Sequence, residues 1–182
     1  MTRWVRCLAA AVLASSLLTG CGVSTAVAPR CTALERLGLV AQSVPSSTYI
    51  PCVTTLPPGW QSSAFTVRNG QTRFDLLSDR AQGRAVAVAL RAGCSVGAAT
   101  PIPPRTPGGR TYVRLTSITP RYAGTLYDVF PGGCVTYRFD FRRGPHIELM
   151  AQLQASVGLV ARAQLRLALR RELGIDLGDG GG

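Results

Sequence analysis

The chain has 182 residues, of which 46% are hydrophobic and 16% charged, and this composition is typical of a globular protein. Its formal net charge is +11 at pH 7, and all 20 of its basic residues are arginine. No run of basic residues exceeds two, and no dinucleotide, phosphate-loop or nucleophile-elbow motif occurs, so the composition and motifs exclude the familiar nucleotide-binding and hydrolase classes.

The first 21 residues contain the clearest motif of the chain. A short basic start is followed by an apolar run of about 12 residues and then by the sequence LTGC at positions 18–21. This order resembles the signal peptide and lipobox of bacterial lipoproteins, in which small residues precede the cysteine that receives the lipid. The resemblance implies a signal peptide over residues 1–20, lipidation of Cys21, and a protein anchored to the extracytoplasmic face of the cell membrane. An ordinary secretory signal is the alternative, whereas an uncleaved anchor would need about 20 apolar residues.

Removal of the signal would leave 162 residues, which is enough for one domain and short of two. The net charge would fall to +9, because Arg3 and Arg6 leave with the signal. Residues 21–30 are predicted to form a short tether that keeps the domain near the bilayer. The expected partners are the membrane, through the lipid on Cys21, and an envelope protein or an anionic lipid or polymer. The basic charge also fits ordinary solubility, and no nucleic-acid partner is expected for an exported chain without a binding motif.

Four cysteines remain after the signal and Cys21 are set aside. An even number in an exported domain indicates two disulfides, and three pairings are possible. We expect Cys31–Cys52 and Cys94–Cys134, because each closes a loop that otherwise lacks firm structure. No metal site is predicted, since close cysteine pairs and histidine clusters are missing from the sequence, and no cofactor is implied.

The first half of the domain, 31–175, shows mainly strand patterns. Residues 31–39 could form a short helix, and Tyr49–Val53 reads as an edge strand because Pro51 has no amide hydrogen to donate. Trp60 is predicted to cover the core. Alternating apolar and polar residues on both sides of Asn69-Gly70 predict a hairpin of strands 64–68 and 71–77 with a type I′ turn, and a third strand follows over 85–91.

The second half begins with a proline-rich loop over residues 95–110, for which no regular structure is predicted. Such a loop is either functional or a surface excursion held by Cys94. Strands are predicted over 111–119, 125–130 and 134–141, the last with one clearly buried side. Residues 147–154 also alternate with period two, so they are predicted to be a strand paired antiparallel to 134–141, although their residue types favour helix.

The chain ends in a predicted long helix over 157–173, capped by Ser156 and ended by Gly174, and a frayed tail over 176–182. The elements together predict an α+β domain, with a twisted, mainly antiparallel sheet of about seven strands and the long C-terminal helix packed on it. On this helix Arg162, Arg166 and Arg170 are predicted to form one solvent-facing stripe that contacts anionic surfaces.

Catalytic chemistry is only weakly indicated. His146 is the single histidine and lies in a predicted turn. Asp140 and Glu148, on the two strands predicted to pair across that turn, are close enough in register to approach each other, although nearby arginines make salt bridges the ordinary expectation. Two functions therefore stay open: a lipid-anchored, non-catalytic binding or accessory module of the cell envelope, and an envelope hydrolase with an unfamiliar site near His146. The absence of catalytic motifs favours the first.

Overall fold

The computed structural model describes residues 27–178, and its framework is a seven-stranded antiparallel sheet. The elements in chain order are α1 (Leu34–Ser43), β1 (Tyr49–Val53), β2 (Trp60–Arg68), β3 (Gln71–Ser78), β4 (Gly83–Arg91), β5 (Thr100–Ile102), β6 (Arg110–Ser117), β7 (Tyr122–Phe130), β8 (Gly133–Phe141), α2 (His146–Ser156), β9 (Val157–Ala161) and α3 (Arg162–Leu173). The sheet has the order β2-β3-β4-β8-β7-β6-β5, and β1 pairs antiparallel with β9 in a separate ladder. No helix within residues 27–178 is long and apolar enough to cross a membrane.

The predicted α+β class with a mainly antiparallel sheet is confirmed. The hairpin of β2 and β3 is also present, with Arg68 opposite Gln71. Its turn is not type I′, because only Gly70, with φ of 78°, has the positive φ that such a turn needs at both central residues. Trp60 is buried as predicted, and its indole Nε1 donates a hydrogen bond to Gln152 Oε1 at 2.7 Å.

Both predicted disulfides are present. Cys31–Cys52 joins the segment before α1 to β1, and Cys94–Cys134 joins the chain after β4 to the start of β8. Structural disulfides form and persist in oxidising compartments. The domain therefore has the covalent framework of an extracytoplasmic protein.

Residues 147–154 are not a strand, as the alternation predicted, but belong to α2. Leu149 and Leu153, four residues apart, are fully buried, whereas Ile147 is 89% exposed. The burial therefore has the period of a helix, and Ile147, which completed the apparent alternation, does not contribute to the core. The helix propensity of leucine, methionine, alanine and glutamine decides the structure of this segment.

The predicted long helix over 157–173 is also wrong in its first turn and a half. Residues Val157–Ala161 form β9, and α3 contains only Arg162–Leu173 before Gly174 adopts a left-handed conformation. Strand β1 lies apart from the large sheet and would have unpaired backbone groups, so pairing with β9 satisfies both segments. Ser156 is the last residue of α2 rather than a cap for α3, and its hydroxyl donates to the Gln152 carbonyl.

The proline-rich loop 95–110 is more ordered than predicted, because it contains the three-residue edge strand β5. The packed region also extends beyond the predicted limits of 31–175. Ala28 is 1% exposed, so the tether predicted over 21–30 is shorter, and Leu177 in the predicted tail is 3% exposed. Cys21, with the predicted signal peptide and lipidation, lies outside the described residues.

The core lies between the large sheet and a layer that contains α1, α2, α3 and the β1–β9 ladder. Fully buried aromatic residues of the sheet, such as Phe74 and Tyr137, pack with Leu37, Leu149 and Leu165 of the three helices. This arrangement covers one face of the sheet, so the other face is where a ligand could reach the strands.

Candidate functional site

The uncovered face of the large sheet carries the side chains that alternate with the core residues. On β8, Val135 and Tyr137 are fully buried, so Thr136 and Arg138 lie on the opposite face. No residue of the three helices lines this second face within the part of the chain that the structure describes. An antiparallel sheet with one covered and one solvated face is common, but the solvated face here is concave.

The concave face forms a cleft of about 800 Å³, which we call the arginine cleft. Its floor includes Ala87, Ala89 and Thr136, which sit on the neighbouring strands β4 and β8. These short side chains leave room above the centre of the sheet. Around them the cleft is lined by six arginines: Arg73, Arg84, Arg91, Arg114, Arg138 and Arg142.

Two of these arginines are already engaged with a carboxylate. Asp75, whose side chain is 7% exposed, lies between Arg73 and Arg84, and each guanidinium is 3.3 Å from one of its oxygens. The cleft residue Asp140 is paired with Arg121 instead of with a cleft arginine, at 3.5 Å. The four remaining cleft arginines are exposed and have no ion pair with any residue of 27–178. They are Arg91, Arg114, Arg138 and Arg142.

The strand register fixes how these charges are spread. Arg138 on β8 lies opposite Ala87 of β4 on one side and Thr125 of β7 on the other. Thr125 in turn lies opposite Arg114 of β6, so Arg114 and Arg138 are two strands apart. At about 4.8 Å per strand, their Cα atoms are about 10 Å apart. Arg142 follows Arg138 by four residues, which corresponds to about 13 Å along an extended chain.

One end of the cleft is closed by the Cys94–Cys134 disulfide and the neighbouring Gly93 and Ser95. The disulfide fixes the start of loop 95–110 against β8, so this end of the cleft does not depend on a mobile loop. Arg114 lies with its guanidinium carbon 5.9 Å from the centre of the Tyr127 ring. This cation–π contact holds the arginine over the sheet and covers the aromatic face.

Of the arginine stripe predicted on the C-terminal helix, Arg162 does not face solvent as the sequence indicated. Arg162 points inward and donates hydrogen bonds to three backbone carbonyls, those of Ala41, Val44 and Ser47. Burial lowers the pKa of Arg162, and the neighbouring positive charge of Arg166 lowers it further. Arg170 is exposed and paired with Asp176. A contact of Arg166 or Arg170 with an anionic surface stays a prediction, whereas Arg162 is committed to the fold.

His146 lies at the start of α2, where its ring stacks on Tyr122 with 5.3 Å between ring centres. The two rings border an apolar groove of about 430 Å³ that also contains Ile118, Ile147 and Met150. Within residues 27–178 the His146 ring makes this stacking contact, and no hydrogen bond or ion pair joins it to a hydroxyl or a carboxylate.

Asp140 and Glu148, which were predicted to face each other across the turn, are each engaged with a different arginine. Glu148 accepts two hydrogen bonds from Arg80, and these hydrogen bonds lower the pKa of the Glu148 carboxyl. Asp140 is bound to Arg121. The two carboxylates therefore serve separate ion pairs, which was the ordinary expectation for this arginine-rich region.

A second charged cluster is buried beneath loop 95–110. Arg105 donates to Asp128 at 3.0 Å and to the carbonyls of Gln154 and Val157, and its guanidinium lies over the Tyr137 ring at 5.2 Å. Thr111 donates a further hydrogen bond to the Asp128 carboxylate. Burial raises the pKa of Tyr137 well above its ordinary value, and the Asp128 charge adds to this effect. The cluster fastens the loop to the core, so Arg105 does not contribute to an exposed basic surface.

Among residues 27–178 no group of histidine, cysteine, aspartate and glutamate side chains could hold a metal ion. Comparisons with protein-family profiles, with curated proteins and with solved structures found no match to this chain. The candidate site is therefore argued from its geometry alone.

The sequence did not predict the arginine cleft, because the residues that line it come from five strands far apart in the chain. The alternation of β8 was the one available signal, since it predicts that Arg138 lies on a polar face of the sheet.

Proposed function

We propose that this protein is a lipid-anchored, extracytoplasmic binding module of the bacterial cell envelope, which holds an anionic partner in the arginine cleft without transforming it. The observation that carries this proposal is the open cleft, with four exposed arginines that have no carboxylate partner within residues 27–178. Unpaired positive charges gathered on a concave surface attract and hold anions.

The donor set of the cleft supports binding rather than catalysis. Arginine stays charged at any physiological pH, and its planar guanidinium matches the geometry of carboxylate and phosphate groups. Among the described cleft residues, Asp140 is paired with Arg121, Cys94 is in a disulfide, and the Tyr127 ring lies beneath the Arg114 guanidinium. The side chains that dominate the cleft are therefore fixed hydrogen-bond donors, which suit the binding of an anion.

The location of the protein is supported by two independent features of the sequence and the fold. The LTGC sequence at 18–21 resembles a lipobox, and the two disulfides agree with an oxidising compartment. Only six residues, 22–27, separate Cys21 from the buried Ala28. A tether of that length reaches about 20 Å when fully extended, so a lipidated Cys21 would hold the domain against the bilayer surface.

The anchor is tested by Cys21→Ser in the full-length protein. The expected result is loss of incorporated labelled fatty acid and loss of the processed membrane form, because the thiol that becomes the thioether is missing. Cys7→Ser in the same chain is the matched control and should leave labelling unchanged. Fatty acid incorporation that persists in Cys21→Ser would refute the lipoprotein assignment.

The binding function is tested on the processed chain, residues 21–182, carrying Cys21→Ser and prepared in oxidising conditions. A cleft variant combines Arg91→Gln, Arg138→Gln and Arg142→Gln, and a control variant combines Arg68→Gln, Arg143→Gln and Arg171→Gln, which are exposed arginines outside the cleft. Both variants remove the same charge. We expect the cleft variant to stop co-sedimenting with isolated envelopes of the producing bacterium, whereas the control variant still co-sediments with them. An equal loss of co-sedimentation in both variants would refute a specific site.

A further inference from the structure

The spread of charge in the arginine cleft indicates what kind of anion it takes. We infer that the ligand is a linear anionic polymer that lies across the sheet, on the side of the domain that faces away from the anchoring membrane. This inference rests on the proposed binding function and narrows it to one class of ligand.

The free arginines of the cleft are distributed along the strands and across them instead of converging on one point. The Cα atoms of Arg114 and Arg138 are about 10 Å apart, and those of Arg138 and Arg142 about 13 Å apart. Arg91 of β4 lies opposite Cys134 of β8, at the end of the cleft that the disulfide closes. Cys134 precedes Arg138 by four residues along β8, so Arg91 and Arg138 are separated by the same length of strand. A site for one small anion brings its donors together around a single centre, whereas donors at these spacings match several anionic groups in sequence.

The floor of the cleft suits a chain that passes over it. Ala87 and Ala89 on β4 and Thr136 on β8 form a low central surface between the arginines. Two carboxylates lie near the cleft, and both are engaged by arginines. Asp75 lies between Arg73 and Arg84, and Asp140, which lies between Arg138 and Arg142 along the chain, is paired with Arg121. The cleft therefore keeps a net positive charge that attracts an anionic chain.

The point at which the chain enters the domain separates this ligand from the lipids of the anchoring bilayer. Pro29 accepts a hydrogen bond from Val53 of β1, and Val27 accepts one from Arg36 of α1. Both contacts lie in the helical layer, on the covered face of the sheet. The chain therefore enters the domain through the helical layer, on the face of the sheet opposite to the cleft. An anchor at this point places the helical layer, and not the cleft, on the side from which the tether arrives.

The experiment measures binding of the processed chain with Cys21→Ser to defined anions by isothermal titration calorimetry. The polymer probes are long-chain polyphosphate and polygalacturonate, which distinguish a phosphate from a carboxylate source. The short probes are tripolyphosphate and inorganic phosphate for the first polymer and monomeric galacturonate for the second, and vesicles of phosphatidylcholine with phosphatidylglycerol present the lipid headgroup. The cleft variant and the control variant defined above are measured with each probe.

We expect one of the polymers to bind at least about tenfold more tightly per molecule than its short counterpart, because several arginines act on one chain. The cleft variant should lose about tenfold or more in affinity, and the slope of log K against log salt should fall by about 2–3, one for each lost contact. The control variant should keep both. Unchanged thermal unfolding of the two variants shows that the loss is not caused by misfolding.

Four results would overturn the inference. Equal affinity for phosphate and polyphosphate would indicate a site for a single anion, and cleft-dependent binding to the phosphatidylglycerol vesicles but not to a polymer would indicate a lipid ligand. Lipidated protein that loses polymer binding once it is anchored on anionic vesicles would show that the cleft faces the bilayer. Envelope binding that depends on the cleft but is not competed by either polymer would leave the proposed function standing and reject the polymer class alone.

Discussion

Replacing Arg162 by glutamine tests whether this arginine supports the fold or only lies on the surface. We expect the replacement to destabilise the domain strongly. The Arg162 guanidinium donates to the carbonyls of Ala41, Val44 and Ser47, at the C-terminal end of α1 and just beyond it. The last turn of α1 contains no basic residue of its own. Arg162 therefore supplies, from a distant part of the chain, the positive charge and the donors that the end of a helix needs.

The magnitude follows from these three hydrogen bonds. A hydrogen bond to a charged group contributes about 1.5–3 kcal/mol, and a buried acceptor that loses its partner costs about 1–3 kcal/mol. Because the guanidinium is itself half-buried, part of this gain offsets its own desolvation. We expect Arg162→Gln to lower the free energy of unfolding by about 2–4 kcal/mol, a large part of the 5–15 kcal/mol that is usual for a domain.

The assay is urea unfolding with both disulfides intact, followed by circular dichroism, with Arg171→Gln as the matched control. Arg171 lies on the same helix and is exposed, so its replacement should change the free energy of unfolding by less than about 0.5 kcal/mol. The loss of stability of Arg162→Lys should lie between those of Arg162→Gln and Arg171→Gln. A lysine ammonium keeps the positive charge, but it lacks the planar guanidinium that donates to three carbonyls at once. Equal stability of Arg162→Gln and Arg171→Gln would refute the assigned capping role and would restore the solvent-facing stripe.

Two further substitutions test other parts of the fold. Arg105→Leu should lower the free energy of unfolding by about 3–5 kcal/mol, because it leaves the buried Asp128 carboxylate without its cation. Adding Asp128→Asn to this variant should recover part of the lost stability. Equal stability of the single and double variants in urea unfolding would contradict this. Glu148→Gln tests the ion pair between Glu148 and Arg80. The hydrogen bonds from Arg80 hold the pKa of Glu148 below its ordinary value of 4.5. The pair therefore stabilises the folded protein above that pH, and this stabilisation is lost as the pH falls through the lowered pKa. The melting temperatures of Glu148→Gln and the unaltered protein should therefore converge in acid, and a constant difference from neutral to acid pH would exclude the pair as its source.

The sequence predicted the features that short-range chemistry determines. The hairpin at Asn69-Gly70, the strand now called β8 and both disulfides follow from turn residues, alternation and cysteine number, which act locally or through few alternatives. The segment Ile147–Leu153 was assigned incorrectly because two of its apolar residues match both periods, and only the exposure of Ile147 decides between them.

The features that depend on distant partners could not be predicted in the same way. Strand β9 forms because β1, more than one hundred residues earlier, lies outside the large sheet and otherwise has only residues 29–31 beside Val53. The arginine cleft likewise depends on the order of strands in the sheet, which brings Arg114 of β6 and Arg73 of β3 onto the same surface as Arg138. Arg162 was misplaced for a related reason, since the carbonyls that it binds belong to the first helix.

The β1–β9 ladder has a consequence for the order in which the domain can be completed. Tyr49–Val53 has no strand partner until Val157–Ala161 has emerged, so a chain that crosses a membrane N-terminus first cannot close its fold during most of the passage. The hairpin β2–β3 can form early, and the Cys31–Cys52 disulfide closes a span of only 21 residues. The fold is thus completed only when residues 157–161 are present, and we expect a chain truncated before Val157 to lose the β1–β9 ladder as well as α3.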